Sequence, residues 1–129
     1  VVSVRSKEKI PFWSHDGMHD DMTKSNINCW TNGFWPGLMW LMYSAEKKEC
    51  YKAAAEWSEE QLDKALLNHV ELSHDVGFIW RLASGFDYAI TVNSEQRIIL
   101  CQGLIRQAEA LSGRGITVII ILLLQAGLL

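Results

Sequence analysis

A histidine and an aspartate stand together at the start of a predicted helix, in the segment Ser73-His74-Asp75-Val76-Gly77-Phe78. A carboxylate at a helix N-terminus is stabilised by the helix dipole and by free backbone N–H groups, which favour its ionised form. Such a group could contact a ligand or take part in acid–base chemistry. Asp75 could equally be an N-cap and His74 an exposed loop residue. Gly77, so soon after the cap, indicates that another group approaches the backbone closely.

A second segment combines aromatic, amide and glycine residues just ahead of another predicted helix: Trp30-Thr31-Asn32-Gly33-Phe34-Trp35-Pro36-Gly37. Binding residues concentrate in loops that a rigid scaffold holds. An indole face at such a junction could stack on the apolar face of a sugar ring, and Asn32 could hydrogen-bond a hydroxyl group. The alternative is that these tryptophans fill a core and that the glycines only permit tight turns.

Two further clusters are better explained by solvent exposure. The segment 15–21 contains histidine and aspartate residues of the kind that bind metals, but it has no third anchor elsewhere, so it is predicted to be a solvated loop with no metal. Glu56, Glu59, Glu60 and Asp63 are predicted to form a solvated helical face. No Ser-His-Asp pattern, phosphate-binding glycine loop or nucleotide fingerprint is found in the sequence.

Hydrophobic spacing predicts four helices that would position these segments. The first begins near Trp35-Pro36, because proline suits the first helical turn. The second covers about 50–69, and the third begins near Asp75 or Val76. The predicted apolar stripes of these helices are Leu38, Leu41, Met42 and Ala45; then Ala54, Trp57, Leu62, Ala65 and Leu66; then Phe78, Ile79, Leu82, Ala83 and Phe86.

A fourth helix is predicted to start at Asn93-Ser94-Glu95 and to end at Gly113. Its apolar face is predicted to contain Ile98, Cys101, Leu104, Ile105, Ala108 and Leu111. Residues 1–29 have no sustained periodicity, and we expect an extended leading segment with one short turn. The chain is therefore predicted to be all-α, built from two αα-hairpins. Periodicity alone leaves open a closed four-helix bundle and an arc of a larger helical toroid.

Composition limits the function classes. The chain has 129 residues, enough for a single domain (1–129), and its 12 basic and 15 acidic side chains give a net charge of −3. This balance argues against a nucleic-acid partner, which would require a basic patch. The apolar segment 116–129 is shorter than the roughly 20 residues that cross a bilayer, so no membrane association is expected. Cys29, Cys50 and Cys101 are few and widely spaced, which suits a reducing compartment.

Taken together, the Trp30–Gly37 segment and the later His74–Phe78 segment resemble motifs of the unsaturated glucuronyl hydrolases. Ile10-Pro11-Phe12-Trp13 and Asp20-Asp21-Met22 are similar to the segment that precedes those motifs in the family. The likeness extends over roughly residues 10–112 with consistent order and spacing.

The resemblance implies a bacterial, cytoplasmic glycoside hydrolase with an (α/α)6 toroid fold, of which this chain would form an incomplete, N-terminal portion. Enzymes of this family remove 4,5-unsaturated uronic acid from glycosaminoglycan-type oligosaccharides, and they need no metal or other cofactor. The reaction is hydration of an enol ether: an acid protonates C4, water adds at C5, and the resulting hemiketal opens to release the remaining sugar.

Residue by residue, the resemblance implies that Asp75 is a catalytic carboxylate and that His74 contacts the unsaturated uronyl oligosaccharide. It also matches Trp30 to the stacking tryptophan, with Asn32 as a further substrate contact. The family's second carboxylate is an aspartate in a later motif. The end of this chain resembles that motif, with Ile121 in place of the aspartate.

An isoleucine cannot donate a proton, and losing a general acid typically costs a factor of about 10² to 10⁴ in rate. We therefore expect this chain alone to be inactive or incomplete as an enzyme. The alternative is a non-catalytic sugar-binding or structural helical fragment. Part of a toroid leaves apolar faces uncovered, so self-association of the free chain is also expected.

Overall fold

The computed structural model of the protein describes residues 8–68, 75–92, 95, 98–100 and 102–104. This part of the chain is mostly helical, which confirms the all-α prediction. Its short strands are β1 (Ser14–His15) and β2 (Met18–His19), and a 3-10 turn covers Trp30–Gly33. The helices are α1 (Met22–Ser25), α2 (Phe34–Glu46), α3 (Glu49–Leu67) and α4 (Val76–Thr91).

Helices α2 and α3 form the predicted αα-hairpin. Lys47 ends α2 in the left-handed conformation with φ of 55°, and its N–H donates to the carbonyl of Tyr43 at 2.8 Å. Glu49 begins α3 two residues later. A connection this short requires neighbouring antiparallel helices.

Two glycines bring α2 against α4. A Cβ atom added to Gly33 would overlap the backbone carbonyl of Ile79, and one added to Gly37 would lie 2.9 Å from the carbonyl oxygen of Leu82. Gly33 precedes Gly37 in the chain, and their partners Ile79 and Leu82 follow in the same order. Helices α2 and α4 therefore run in the same direction. Their N-terminal ends, which carry the two sequence motifs, therefore lie at the same end of the fold.

Two groups of buried side chains hold these helices together. The first joins the leading segment to α3, α4 and the residues after α4, and the second lies between α2 and α3. The members of the first are Ile10, Met22, Leu62, Leu66, Ile79, Trp80, Ala83, Leu100 and Leu104. The members of the second are Met39, Trp40, Ala54 and Ala55.

The buried face of α2 differs from the predicted stripe. Leu38 and Leu41 are both 50% exposed, whereas Met39 and Trp40 are at most 2% exposed. The helix is apolar on nearly every side, so spacing alone does not single out one face. The glycine contacts with α4 decide its rotation, and the predicted stripe was wrong.

The acidic side chains of α3 also depart from prediction. Glu59 is only 1% exposed, so the expectation of a solvated position was wrong for this residue. Its Oε1 accepts a hydrogen bond from Trp40 Nε1 at 2.8 Å. One turn later, Asp63 Oδ1 accepts from Trp80 Nε1 at 3.1 Å. Two acids of α3 therefore bind indole N–H groups from α2 and α4.

The described part of the leading segment contains more structure than the single turn expected. Strands β1 and β2 pair antiparallel across Asp16 and Gly17, whose φ angles of 50° and 73° suit a tight hairpin. Asp21 then caps α1, because its side chain accepts from the backbone N–H of Thr23. Ile10 is 1% exposed and anchors this segment in the first core cluster.

The fourth predicted helix is described in part, since residues 98–100 and 102–104 are helical. Leu100 and Leu104 are buried, but Ile98 is 58% exposed, so its predicted core position was wrong. Among the described residues, no helix combines the length and apolar character needed to cross a membrane. The following predictions fall on residues outside the described ranges: His74, Cys101, Ile105, Ala108, Leu111, Gly113 and the apolar segment 116–129.

Candidate functional site

Trp30 lies close to the start of α4. Its indole ring makes edge-to-face contacts with Phe34, at 5.9 Å between ring centroids, and with Phe78, at 6.3 Å. The backbone N–H of Phe78 donates to the carbonyl of Asp75 at 3.0 Å, in the first turn of α4. One of the two residues that Trp30 touches therefore belongs to the helical turn that begins at Asp75.

The three rings of this contact remain open to solvent. Trp30 is 45% exposed, Phe34 52% and Phe78 44%. Aromatic rings that are fixed by one another and still expose a face are suited to stacking on a flat apolar ligand surface. We call Trp30, Phe34 and Phe78 the aromatic platform.

Asp75 occupies the N-cap position of α4 and is partly buried. Its side chain does not make the capping hydrogen bond that an N-cap aspartate usually makes. The alternative of a purely capping role is therefore weakened, and a role at a site stays a prediction. The preceding residue, His74, which was predicted to contact the substrate, lies outside the described residues.

Asn32 fixes the turn that carries Trp30. Its Nδ2 donates to the carbonyl oxygens of Asn26 and Ile27, both at 2.9 Å, and the side chain is 2% exposed. Both amide protons are thus used within the protein. The Oδ1 atom is buried and accepts no hydrogen bond within the described part of the chain. Asn32 supports the platform here, and direct contact with a substrate stays a prediction.

The four tryptophans between positions 13 and 40 divide between core and surface. Trp40 is fully buried and Trp35 packs against both core clusters, whereas Trp13 is 70% exposed and Trp30 belongs to the platform. A core position is therefore confirmed for Trp35, which packs against both clusters, whereas stacking of Trp30 on a sugar stays a prediction. Gly33 serves the close contact with Ile79 that holds the turn on α4.

A cavity beside the platform was not anticipated from the sequence. It has a volume of about 300 Å³, and Phe34 of the platform forms part of its wall. The sequence contained one indication of it: Pro11, Phe12 and Phe34 are apolar residues that belong to none of the predicted apolar stripes. The cavity is lined by Pro11, Phe12, Thr31, Phe34, Trp35 and Leu38.

The buried carboxyl group of Glu59 was also missed. Burial raises its pKa to about 9; the Trp40 hydrogen bond acts in the opposite direction, and the nearby charges of Asp87 and Asp63 add to the increase. The signal lay in the helical spacing, because Ala55, Glu59 and Leu62 recur at steps of four and three residues. Glu59 therefore falls within the apolar stripe of α3.

The histidine and aspartate side chains of segment 15–21, which are of the kind that bind metals, make contacts within the protein. Asp20 Oδ1 accepts from the backbone N–H groups of Phe12 and Trp13 at 2.7 and 2.9 Å. His15 is almost fully exposed and lies 3.5 Å from the Asp16 carboxylate. In the part of the chain that the structure describes, no group of three or more His, Cys, Asp or Glu side chains is arranged to hold a metal ion.

Comparison with known proteins finds similarity to one kind of hydrolase. The chain is 33% identical over 69 residues to an unsaturated chondroitin disaccharide hydrolase of Streptococcus pneumoniae, covering 53% of this chain and 17% of the relative. It is 30% identical over 87 residues to an unsaturated glucuronyl hydrolase of a Bacillus species, covering 64% and 22% respectively. A third relative, from Streptococcus pyogenes, is an unsaturated chondroitin disaccharide hydrolase with 29% identity over 69 residues.

These matches support a distant relationship to the unsaturated glucuronyl hydrolases. The matched stretches span about a fifth of the curated relatives' length, at 17% and 22% for the first two. No family model matches the chain, and no solved structure matches it.

Proposed function

We propose that this chain carries part of the substrate pocket of a glycoside hydrolase that acts on oligosaccharides ending in a 4,5-unsaturated uronic acid. The observation that carries the proposal is the contact between Trp30 and Phe78 at the N-terminal end of α4, whose N-cap is Asp75. An exposed indole that contacts the first turn of a helix with an aspartate at its N-cap would suit a charged sugar with one apolar face. The names of the distant relatives agree with this substrate class.

The proposed chemistry is hydration of the enol ether between C4 and C5 of the uronic acid. Trp30 would hold the flat unsaturated ring, and the Asp75 carboxyl group would transfer a proton to or from the reacting atoms. An acid protonates C4 and water adds its oxygen at C5 and returns a proton to the medium or to a base. The hemiketal at C5 then opens to a ketone by breaking its bond to the ring oxygen, which leaves a hemiacetal at C1. That hemiacetal collapses to an aldehyde and releases the second sugar as an alcohol.

The proposal is tested by following the absorbance of the conjugated C=C–COO⁻ group, which disappears on hydration. If the chain turns over an unsaturated disaccharide, Asp75→Asn is expected to lower the rate by at least about 10² while leaving the helical content unchanged. Turnover that is unaffected by Asp75→Asn would remove Asp75 from the mechanism.

A sugar-binding function without turnover is the second candidate. It is favoured by the resemblance of the last residues to the family's later motif, in which Ile121 would stand in place of the second carboxylate and cannot donate a proton. In this case the disaccharide would quench tryptophan fluorescence without losing its absorbance. Trp30→Ala is expected to abolish that quenching, whereas Trp13→Ala, at a tryptophan outside the platform, is expected to retain it. Quenching that survives Trp30→Ala would exclude the platform as the binding surface.

A further inference from the structure

Helix α2 presents an apolar stripe to solvent. Phe34 is 52% exposed, and Leu38 and Leu41 are each 50% exposed. Ala45, one turn further along, is exposed as well. These four residues recur at steps of four, three and four, which places them in one row along the helix. Three members of the apolar stripe predicted for this helix are therefore left uncovered by the described part of the chain.

The exposed stripe of α2 contains no charged side chain. The one charged residue of this helix is Glu46, at its last position. The exposed face of α3, in contrast, carries Glu56, Glu60 and Lys64. A helix face that stays in water is normally polar or charged, as that of α3 is. The stripe of α2 therefore has the composition of a face that another surface covers.

The stripe belongs to a larger apolar patch. Phe34 and Leu38 line one cavity together with Phe12. The Phe12 ring makes an edge-to-face contact with that of Trp13, with 5.0 Å between the ring centroids, and Trp13 is 70% exposed. We call the following residues the α2 patch: Phe12, Trp13, Phe34, Leu38, Leu41 and Ala45.

The area of the α2 patch suits an interface between two copies of the chain. Aromatic side chains bury about 150–250 Å² each, so the exposed fractions across the patch come to roughly 500 Å² of apolar surface. A stable dimer of standard size buries about 800 Å² on each partner, and about 65% of that area is apolar in homodimers. The patch therefore supplies about as much apolar surface as one side of such a dimer needs.

The form of the stripe indicates how the two copies would meet. In a twofold dimer both copies use the same surface, so the stripe of one packs against the stripe of the other. Steps of four and three residues are those at which paired helices interlock. Lys47 and Lys48 follow the end of α2. Parallel packing would bring these lysines of both copies together, whereas antiparallel packing separates them by the helix length of about 20 Å.

We propose that the α2 patch is the interface of a homodimer, in which α2 packs antiparallel against α2 of a second copy around a twofold axis. The inference goes beyond the proposed function and does not depend on it, because no sugar takes part in the contact. It gives the expected self-association one defined surface and a fixed number of copies.

Sedimentation velocity of the full chain tests the proposal at concentrations from about 1 to 100 µM, the weaker part of the affinity range of interfaces of this size. A reducing agent is present throughout, because Cys50 is exposed and could otherwise form a disulfide between copies. The chain is expected to be a dimer at the upper end of this range and to form nothing larger, since a twofold interface closes at two copies. A chain that stays monomeric, or that grows beyond two copies, overturns the proposal.

Substitution of Leu41 tests whether the patch forms the interface. Leu41→Lys places a charge within the stripe, and it is expected to keep the chain monomeric with unchanged helical content by circular dichroism. Leu41→Ala is expected to weaken dimerisation at least about tenfold, because both copies lose the contact, and it decides the question if Leu41→Lys unfolds the chain. The matched control is Leu67→Lys, at an apolar residue of α3 that is 60% exposed, and it is expected to leave the dimer unchanged. A dimer that persists in the Leu41 variants overturns the proposal.

A further variant examines the apolar segment 116–129 as the other possible occupant. Leu124→Lys changes this segment, which lies outside the described residues, and it is expected to retain the dimer. Loss of the dimer in this variant would assign the interface to segment 116–129 and overturn the proposal. If the segment instead covers the α2 patch of its own chain, the parent is monomeric and Leu124→Lys dimerises, which overturns the proposal as well.

Discussion

Trp40 and Glu59 form a buried hydrogen bond between α2 and α3, with 2.8 Å between the indole nitrogen and the carboxyl oxygen. Both side chains are at most 1% exposed. A charged carboxylate in such surroundings loses more hydration than one hydrogen bond returns. The neutral carboxylic acid is therefore the stable form of Glu59 in the folded chain, and it can still accept the hydrogen bond from the Trp40 indole.

The first prediction concerns the pH dependence of stability. The pKa of Glu59 is raised from 4.5 to about 9 in the folded chain, so unfolding releases its proton throughout that window. The free energy of unfolding is therefore expected to fall as pH rises from 4.5 towards 9, by at most about 1.4 kcal/mol per pH unit. Urea denaturation at several pH values, followed by circular dichroism, measures this slope.

Glu59→Gln keeps an oxygen acceptor for Trp40 and removes the titration. The variant is expected to lose the slope and to be more stable than the parent at pH 8. Glu60→Gln, which changes an exposed acid paired with Lys64, provides the control and is expected to retain the slope. A parent slope that persists in Glu59→Gln would mean that another group titrates in this window.

The second prediction concerns the close contact between Gly33 and Ile79. Gly33→Ala is expected to destabilise the chain by about 1–3 kcal/mol, because its Cβ atom would overlap backbone atoms of α4 that cannot move aside as a flexible side chain could. The matched control is Gly85→Ala in α4, whose Cβ atom would lie 3.7 Å from its nearest neighbours, a side-chain carbon of Leu100 and the carbonyl oxygen of Trp80. That change is expected to be neutral or to stabilise by up to about 1 kcal/mol. Denaturation midpoints of the two variants check the contrast, and equal midpoints would contradict it.

The third prediction concerns Asn32 and the turn below Trp30. Asn32→Ala removes the two hydrogen bonds to the carbonyls of Asn26 and Ile27, and we expect a loss of about 1–3 kcal/mol. Asn68→Ala, at an exposed asparagine that ends α3, is expected to change stability by less than about 0.5 kcal/mol. The denaturant midpoint measures both. Comparable losses in the two variants would show that Asn32 has no special part in the turn.

The fourth prediction concerns Asp21 at low pH. Burial acts to raise the pKa of Asp21, but hydrogen bonds from Thr23, Lys24 and Ile10 outweigh it and hold the pKa below its usual 3.8. A carboxyl group of this kind contributes stability above pH 3.8 and loses it as the pH falls through its folded value.

Asp21→Asn keeps a capping oxygen but removes the charge, so it is expected to cost up to about 1 kcal/mol at neutral pH, where the parent carboxylate is charged and paired with Lys24, and less in acid. Thermal denaturation at pH 7 and at about pH 3 gives the two differences. Asp16→Asn, at an exposed aspartate of the hairpin turn, is the control and is expected to have little effect at either pH. A constant difference between the two pH values would contradict the assignment.

The sequence pattern predicted the helices well where local signals act alone. The start of α4 at Val76, predicted near Asp75 or Val76, and the course of α3 follow from regular apolar spacing. The buried face of α2 was not predictable in this way, because Leu38 and Met39 are equally apolar and only contact with α4 distinguishes them. Burial of Glu59 depends likewise on a partner, Trp40, that lies 19 residues away.

The motifs selected candidate residues for the site, but they did not predict its geometry or the two phenylalanines that contact Trp30. Trp30 and Asp75 were both selected from their motifs, and their common position at one end of the fold depends on the parallel arrangement of α2 and α4. That arrangement follows from backbone contacts at Gly33 and Gly37, which periodicity does not report. The role of Asn32 in supporting the turn depends equally on carbonyl groups outside its own motif.

The two indole hydrogen bonds to Glu59 and Asp63 fix the register of α3 against both of its neighbours. Sliding a helix by one residue moves its side chains by about 1.5 Å along the axis and by about 100° around it. Any such slip would separate Trp40 from Glu59 and also Trp80 from Asp63. A slip of α3 therefore breaks both hydrogen bonds together. The two bonds therefore hold α3 in one position along the pair of helices that carry the motifs, and this pair is itself in direct contact at Gly33 and Gly37.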